Sequence, residues 1–265
     1  MITADVHTHS SFSTDSTEPL RELAQAAADK GLKTLCITEH HDLDYPSPGE
    51  FQLDVPSYRE ELLRVREEFS GRLELLFGVE LGLLDYAAPR LYEFTKSSDF
   101  DFIIGSAHQI DDLDPYYPEY FDKMGDQNGI SHFFDAMLAG IKAFDDFDVL
   151  GHLDYIVRYS HAKSYEPTDY REIIDEILKT VISKGKGIEI NTAGVGKLGY
   201  PHPHPFALRR YKELGGEIVT IGSDAHDRGR IAADLDKAEP ALRDAGFKYY
   251  AIFRGRKPNF YSIDD

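Results

Sequence analysis

The chain has 265 residues, 42% of them hydrophobic, which is long and apolar enough to bury a full core. Its 47 acids against 29 bases leave a formal charge of −18, which argues against a surface that tracks long nucleic acid and leaves a small phosphorylated substrate compatible. Cys36 is the single cysteine, so no intrachain disulfide forms; with no apolar run near the roughly 18 residues of a membrane span and no basic, apolar leader, the chain reads as soluble and cytoplasmic.

The first predicted strand, 2–6, runs straight into His7-Thr8-His9, with Asp15 close behind. In an extended segment residues i and i+2 point to the same side, so both imidazoles can reach one ion. Apolar spacing over 19–30 predicts a helix closed by Gly31. Strand 33–38 buries Cys36 and ends on Glu39 and His40, with His41 beside them. A connection rich in Pro, Asp and Tyr over 41–57 and a helix over 58–69 lead to strand 73–80, whose tip is Glu80. Strand 101–107 ends on His108. The second long connection, 109–130, contains Tyr116-Tyr117-Pro118-Glu119-Tyr120-Phe121, either a lid or an aromatic shoulder packed on the body of the protein.

His132 heads a following helix and reads as a surface residue. Strand 147–152 ends on His152, with Arg158 and His161 shortly after. A helix over 167–184 is closed by Gly185-Lys186-Gly187 ahead of strand 187–191, whose tip is Asn191; Lys197 lies beyond. Pro201-His202-Pro203-His204-Pro205 reads as a rigid structural loop entering a helix over 205–214, closed by Gly215-Gly216. Strand 217–222 ends on Ser223-Asp224-Ala225-His226. A last apolar run, 249–253, has no polar tip and is assigned an edge or covering role.

Strand and helix alternate, which predicts a parallel sheet. An open sheet concentrates its chemistry at one crevice, whereas a closed (β/α) barrel collects residues from many strand ends on one rim. Here all seven strands end in a polar candidate, so the expected architecture is a seven-stranded barrel forming one domain over 1–265. The two long connections are expected to loop over its rim.

In order along the chain, His7-Thr8-His9, Thr38-Glu39-His40, Gly78-Val79-Glu80, Ser106-Ala107-His108, Gly151-His152 and Ser223-Asp224-Ala225-His226 resemble the motifs of the polymerase and histidinol phosphatase (PHP) family. The resemblance spans nearly the whole chain. It implies an α/β fold, a distorted (β/α)7 barrel with a trinuclear metal centre at its C-terminal mouth. Carried over residue by residue, it places His7, His9, Glu80 and Asp224 on a first metal and makes Glu80 a bridge to a second, held also by His108 and His152. Asp15, His40 and His226 would take a third. Imidazole and carboxylate suit zinc, manganese or iron, and Asp15, where many members carry histidine, is a harder donor that shifts preference towards manganese or iron. Glu80, Asp224 and His226 are the implied catalytic group, around a metal-bridging hydroxide that attacks phosphorus.

The segments 151–159 and 189–194 resemble the histidinol-phosphatase branch of that family. The implied reaction is hydrolysis of L-histidinol phosphate to L-histidinol and phosphate, a step of histidine biosynthesis. Arg158 becomes a phosphate clamp, because a guanidinium matches phosphate with paired hydrogen bonds. Lys197 stands where arginine is usual and offers a point charge without the fork. His41 is the third residue expected at the substrate. Two other readings compete: a PHP phosphoesterase acting on nucleotides or nucleic-acid ends, and a metal-binding module without catalysis. The second would show itself by missing ligands, and none of the nine is missing. No feature of the sequence assigns an oligomeric state.

Overall fold

The computed structural model describes residues 2–161 and 165–264. Seven strands, β1 (Ala4–Asp5), β2 (Thr34–His41), β3 (Glu74–Gly82), β4 (Phe102–Ser106), β5 (Val149–Leu150), β6 (Gly187–Asn191) and β7 (Val219–Gly222), pair in sequence order and all in parallel. The sheet closes on itself just beyond β1 and β7. Val6 N donates to Ile221 O at 3.1 Å, Asp224 N to His7 O at 2.8 Å and His9 N to Ala225 O at 2.8 Å. This is the expected (β/α)7 barrel, and its seam joins the first histidine pair to the last acid and histidine.

Both faces of a parallel barrel strand are covered, so the strands read as near-continuous apolar runs. Every residue of β2 is buried, and so are eight of the nine in β3. The helices outside need one apolar stripe each. Leu20, Leu23, Ala24 and Ala27 form it on Leu20–Asp29, and Ile174, Ile177, Leu178 and Val181 on Arg171–Ser183. The predicted closers Gly31, Gly185 and Gly215 all adopt positive φ.

Two expectations need correction. The connection 41–57 turns helical at its end, since a helix runs over Val55–Glu68 with Asp54 capping Ser57 N. The connection 109–130 is shorter than predicted: helices Pro118–Met124 and Asp126–Ala143 begin inside it. Their buried Tyr120, Phe121, Ile130, Phe133, Phe134 and Met137 supply an apolar face that the proline and aspartate content of the segment masked. The run 249–253 takes the covering role expected of it, in a separate antiparallel hairpin, β8 (Tyr249–Arg254) with β9 (Lys257–Ser262). Gly255 and Arg256 turn it, both at positive φ as a tight hairpin turn demands.

The hairpin covers the end of the barrel where strands start. Arg254 pairs with Glu74 at 2.6 Å, Gly255 N donates to Asp101 at 3.1 Å and Arg256 pairs with Asp148 at 2.7 Å. The strand tips at the other end stay accessible. Among the described residues no helix is long and apolar enough to cross a membrane.

Candidate metal centre

Parallel strands in sequence order bring every C-terminal tip to one rim, and register does the rest. His40 on β2 lies directly beside Glu80 on β3. The Glu80 carboxylate is fully buried at the centre of the cluster. Its Oε2 lies 3.1 Å from His7 Nε2, 3.1 Å from His40 Nδ1 and 3.5 Å from His9 Nε2. Its Oε1 lies 2.9 Å from His152 Nε2 and 3.2 Å from His108 Nε2. Asp224 Oδ1 reaches His9 Nε2 at 3.4 Å and His7 Nε2 at 3.7 Å. Asp15, the most exposed of the nine, approaches His226 Nε2 at 3.0 Å and His40 Nε2 at 3.5 Å. All nine residues expected as ligands therefore meet in one cluster.

The donor set fits metal ions. His7 Nε2, His9 Nε2, His40 Nδ1 and Glu80 Oε2 are buried yet make no hydrogen bond, a costly state unless a cation completes them. Ligand atoms separated by about 3.3 Å are what a tetrahedral ion with bonds of roughly 2.0–2.1 Å requires. Four overlapping groups have ligand atoms within 4.8 Å of one another: His7, His9 and Asp224; His7, Glu80 and His152; His40, Glu80 and His108; and His9, His40 and His226. Electrostatics agree with this. Burial drives the Glu80 carboxyl up, but His7, His108 and His40 outweigh it and hold it well below the usual range. Burial, then His40 and His226, push His9 well below its ordinary value, and a neutral imidazole is the form that ligates.

The expected ligands are oriented by residues whose part the sequence reading did not recognise. Glu189 on β6 accepts from His7 Nδ1 at 2.5 Å and from His152 N at 3.0 Å. Asp42 faces His108 Nδ1 at 2.8 Å. Ser13 Oγ meets His9 Nδ1 at 3.3 Å and donates to Glu39 at 2.5 Å, so Glu39 acts behind the ligands rather than among them. For Glu39 and Glu189 the signal in the sequence is an acid inside an apolar strand; Glu189 is two residues before Asn191 and on the same side. Gly222 must lack a side chain, because a Cβ there would sit 2.2 Å from His7 Cβ and 2.9 Å from Glu189 Oε1. Replacing Glu189 by Gln is expected to weaken zinc affinity about 10–100-fold by loosening His7. Competition with a chromogenic chelator measures this, and unchanged affinity would show that His7 is held without Glu189.

A cavity of about 510 Å³ opens over the cluster, lined by Asp15, His40, His108, His152, Asp224 and His226 and by Tyr45, Phe51, Asp114, Tyr155, Arg158 and Tyr159. Arg158 sits on the 3-10 turn Tyr155–Arg158 that follows His152. Its guanidinium carbon lies 5.7 Å from the Tyr155 ring centre and 5.3 Å from that of Tyr159. Lys197 stands behind this wall, 5.4 Å from the Tyr159 ring, and does not itself line the cavity.

His41, expected at the substrate, is turned away from it. Successive residues of β2 face opposite sides, and His41 stacks on Phe94 at 3.7 Å and accepts from Leu53 N at 3.3 Å. The loop histidines are structural: His202 pairs with buried Asp154 at 2.6 Å, and His204 accepts from Phe206 N at a helix start. His132 faces Asp111 at 2.7 Å on the surface, and His161 is exposed beside Asp126. The aromatic segment divides between both expectations. Tyr116 and Tyr117 are exposed at the cavity mouth, whereas Tyr120 and Phe121 are core.

Residues 5–193 match the PHP domain model. The chain is 34% identical over 256 residues to the histidinol-phosphatase of Lactococcus lactis subsp. lactis, covering 96% of this chain and 95% of that one. It is 34% identical over 246 residues to a probable histidinol-phosphatase of Clostridium acetobutylicum, covering 92% and 94% respectively. The crystal structure of the Lactococcus lactis histidinol phosphate phosphatase, complexed with zinc, L-histidinol and phosphate, superposes with a TM-score of 0.90 at 32% identity, covering 97% of this chain and 98% of that one.

Proposed function

This chain belongs to the PHP domain family, and we infer that it is a metal-dependent phosphatase that hydrolyses L-histidinol phosphate to L-histidinol and inorganic phosphate. The reading assigns it to histidine biosynthesis in the cytoplasm. The observation that carries it is the set of buried, unpartnered imidazole and carboxylate atoms sharing a cavity with an arginine that has no anionic partner among the described residues.

His7, His9, Glu80 and Asp224 would hold one divalent ion, Glu80 with His108 and His152 a second, and Asp15, His40 and His226 a third, the ions being zinc, manganese or iron. Ions bound there supply Lewis-acid chemistry, making water a nucleophile near neutral pH and neutralising phosphate oxygens. Glu80 holds the sites together with its two oxygens, each facing a different set of imidazoles. Asp224 and His226 line the reacting side, with Glu80 buried beneath them. Arg158, anchored on Tyr155 and Tyr159, binds phosphate oxygens and orients the ester for displacement. Lys197 adds positive charge from behind the wall. Tyr116 and Tyr117 at the mouth shield the site from bulk water.

Phosphate release from L-histidinol phosphate, measured beside several nucleotides, tests the reaction; a preference for a nucleotide would replace this substrate. Elemental analysis with anomalous scattering is expected to find three ions per chain, and a fully active preparation with a single ion would remove the trinuclear assignment. Chelation is expected to abolish turnover and to lower Tm by about 5–10 °C for each ion removed, because each ion present at roughly a hundred times its Kd contributes about 2.7 kcal/mol. Calorimetry with and without added zinc checks this.

A further inference from the structure

The sheet does not hold Arg158 in place. Strand β5 ends at Leu150, and the backbone bonds of the turn beyond it, Tyr155 N to His152 O, Val157 N to Asp154 O and Tyr159 N to Ile156 O, stay within the loop. Tyr155, Ile156 and Val157 are buried, but apolar contact is not directional. Among the described residues, the hydrogen bonds that tie 153–158 to a distant segment both end on the Asp154 carboxylate. Its Oδ1 accepts from His202 Nδ1 at 2.6 Å and its Oδ2 from His204 N at 2.8 Å. Asp154 and His202 are fully buried, and neither lines the cavity.

The segment that Asp154 grips is stiff and is itself fastened to the metal rim. Pro201, Pro203 and Pro205 restrict its φ angles. His202 exchanges two backbone hydrogen bonds with Asn191 at the tip of β6, each 2.8 Å, and Asn191 Nδ2 donates to Glu189 at 3.2 Å and to Asp224 at 3.3 Å. The His202 ring lies against Gly194, where a Cβ would come within 2.9 Å of it. A run of directional bonds thus leads from Asp224 through Asn191 and His202 to Asp154 and the turn that carries Arg158. The guanidinium itself, packed on two tyrosine rings and with no carboxylate partner among the described residues, takes its position from that turn.

We propose that the buried Asp154–His202 pair positions the phosphate clamp, fixing the Arg158 turn against the tip of β6 and so setting the distance from guanidinium to metal ligands that one phosphate must span. This rests on the reading of Arg158 as a phosphate ligand and adds what holds it. Paired hydrogen bonds to phosphate tolerate little displacement, so a turn released from the loop after β6 binds the anion more weakly. Asp154 and His202 are positioning residues and touch no reacting atom.

The test measures the affinity of the zinc-loaded protein for inorganic phosphate by titration calorimetry, in the wild type, Asp154→Asn, Arg158→Ala and the double variant. Asp154→Asn is expected to weaken phosphate binding about tenfold with Arg158 present, the effect of one disturbed buried hydrogen bond, and not at all in the Arg158→Ala background. Zinc content should match the wild type. Should Asp154→Asn fail to fold, His202→Asn, whose amide can donate from the place of Nδ1, is expected to bind phosphate like the wild type, whereas His202→Gln, which moves the donor, should not. An equal loss with and without Arg158, unaltered affinity in Asp154→Asn, equal affinity in the two His202 variants, or a parallel loss of zinc overturns the proposal. If Arg158→Ala alone binds phosphate as the wild type does, the clamp reading itself is wrong and the positioning role falls with it.

Discussion

Replacing His152 by alanine is expected to lower kcat/KM for L-histidinol phosphate about a thousandfold or more, the scale on which charge-stabilising groups at a reacting centre act. His152 Nε2 lies 2.9 Å from Glu80 Oε1, so its loss removes one side of the site that Glu80 shares with His108. Asp224 is expected to matter as much, since its Oδ1 stands between His7 and His9. Asp224 adopts φ 56, a left-handed conformation that Asn tolerates better than Ala, so Asp224→Asn removes the charge with least disturbance of the backbone. Both variants should keep wild-type circular dichroism, because these side chains crown the rim while the core lies below it. Wild-type-like turnover in either, measured without excess metal, would contradict the ligand role.

Arg158→Ala is expected to cost about 10–100-fold in kcat/KM, corresponding to the roughly 1.5–3 kcal/mol of a hydrogen bond to a charged group. Arg158→Lys should restore only part of this, because an ammonium keeps the charge and loses the paired geometry. The guanidinium has no carboxylate to release, and its Nε is buried without a partner, so substitution costs little in the free enzyme beyond its packing on Tyr155 and Tyr159. Metal content is expected to be unchanged. Unaltered kinetics would refute the clamp, and a parallel loss of metal would instead make Arg158 a support for the ligands.

The alternation of strand and helix and the polar residues at the strand tips were legible in the sequence because both are written locally. A strand tip is an apolar run followed by a polar residue, and in a parallel barrel all such tips share one end, so His7, His9, His40, Glu80, His108, His152 and Asp224 could be gathered without coordinates. Helices were legible where an apolar stripe stood out, as in Leu20–Asp29, and not where proline and aspartate hid it, as at the start of Asp126–Ala143. What the tertiary structure alone decided are pairings between distant segments and the direction of individual side chains. His7 meets Glu189 across 182 residues and His108 meets Asp42 across 66, contacts to which no local pattern points. His41 is adjacent to His40 in sequence yet faces the outer layer, because the pleat turns neighbours to opposite sides. Asp114 was one acid among many in a predicted loop, and only folding sets it in the wall of the same cavity as Arg158. Residue chemistry is local, but its orientation and its partners are set by strand register and barrel closure.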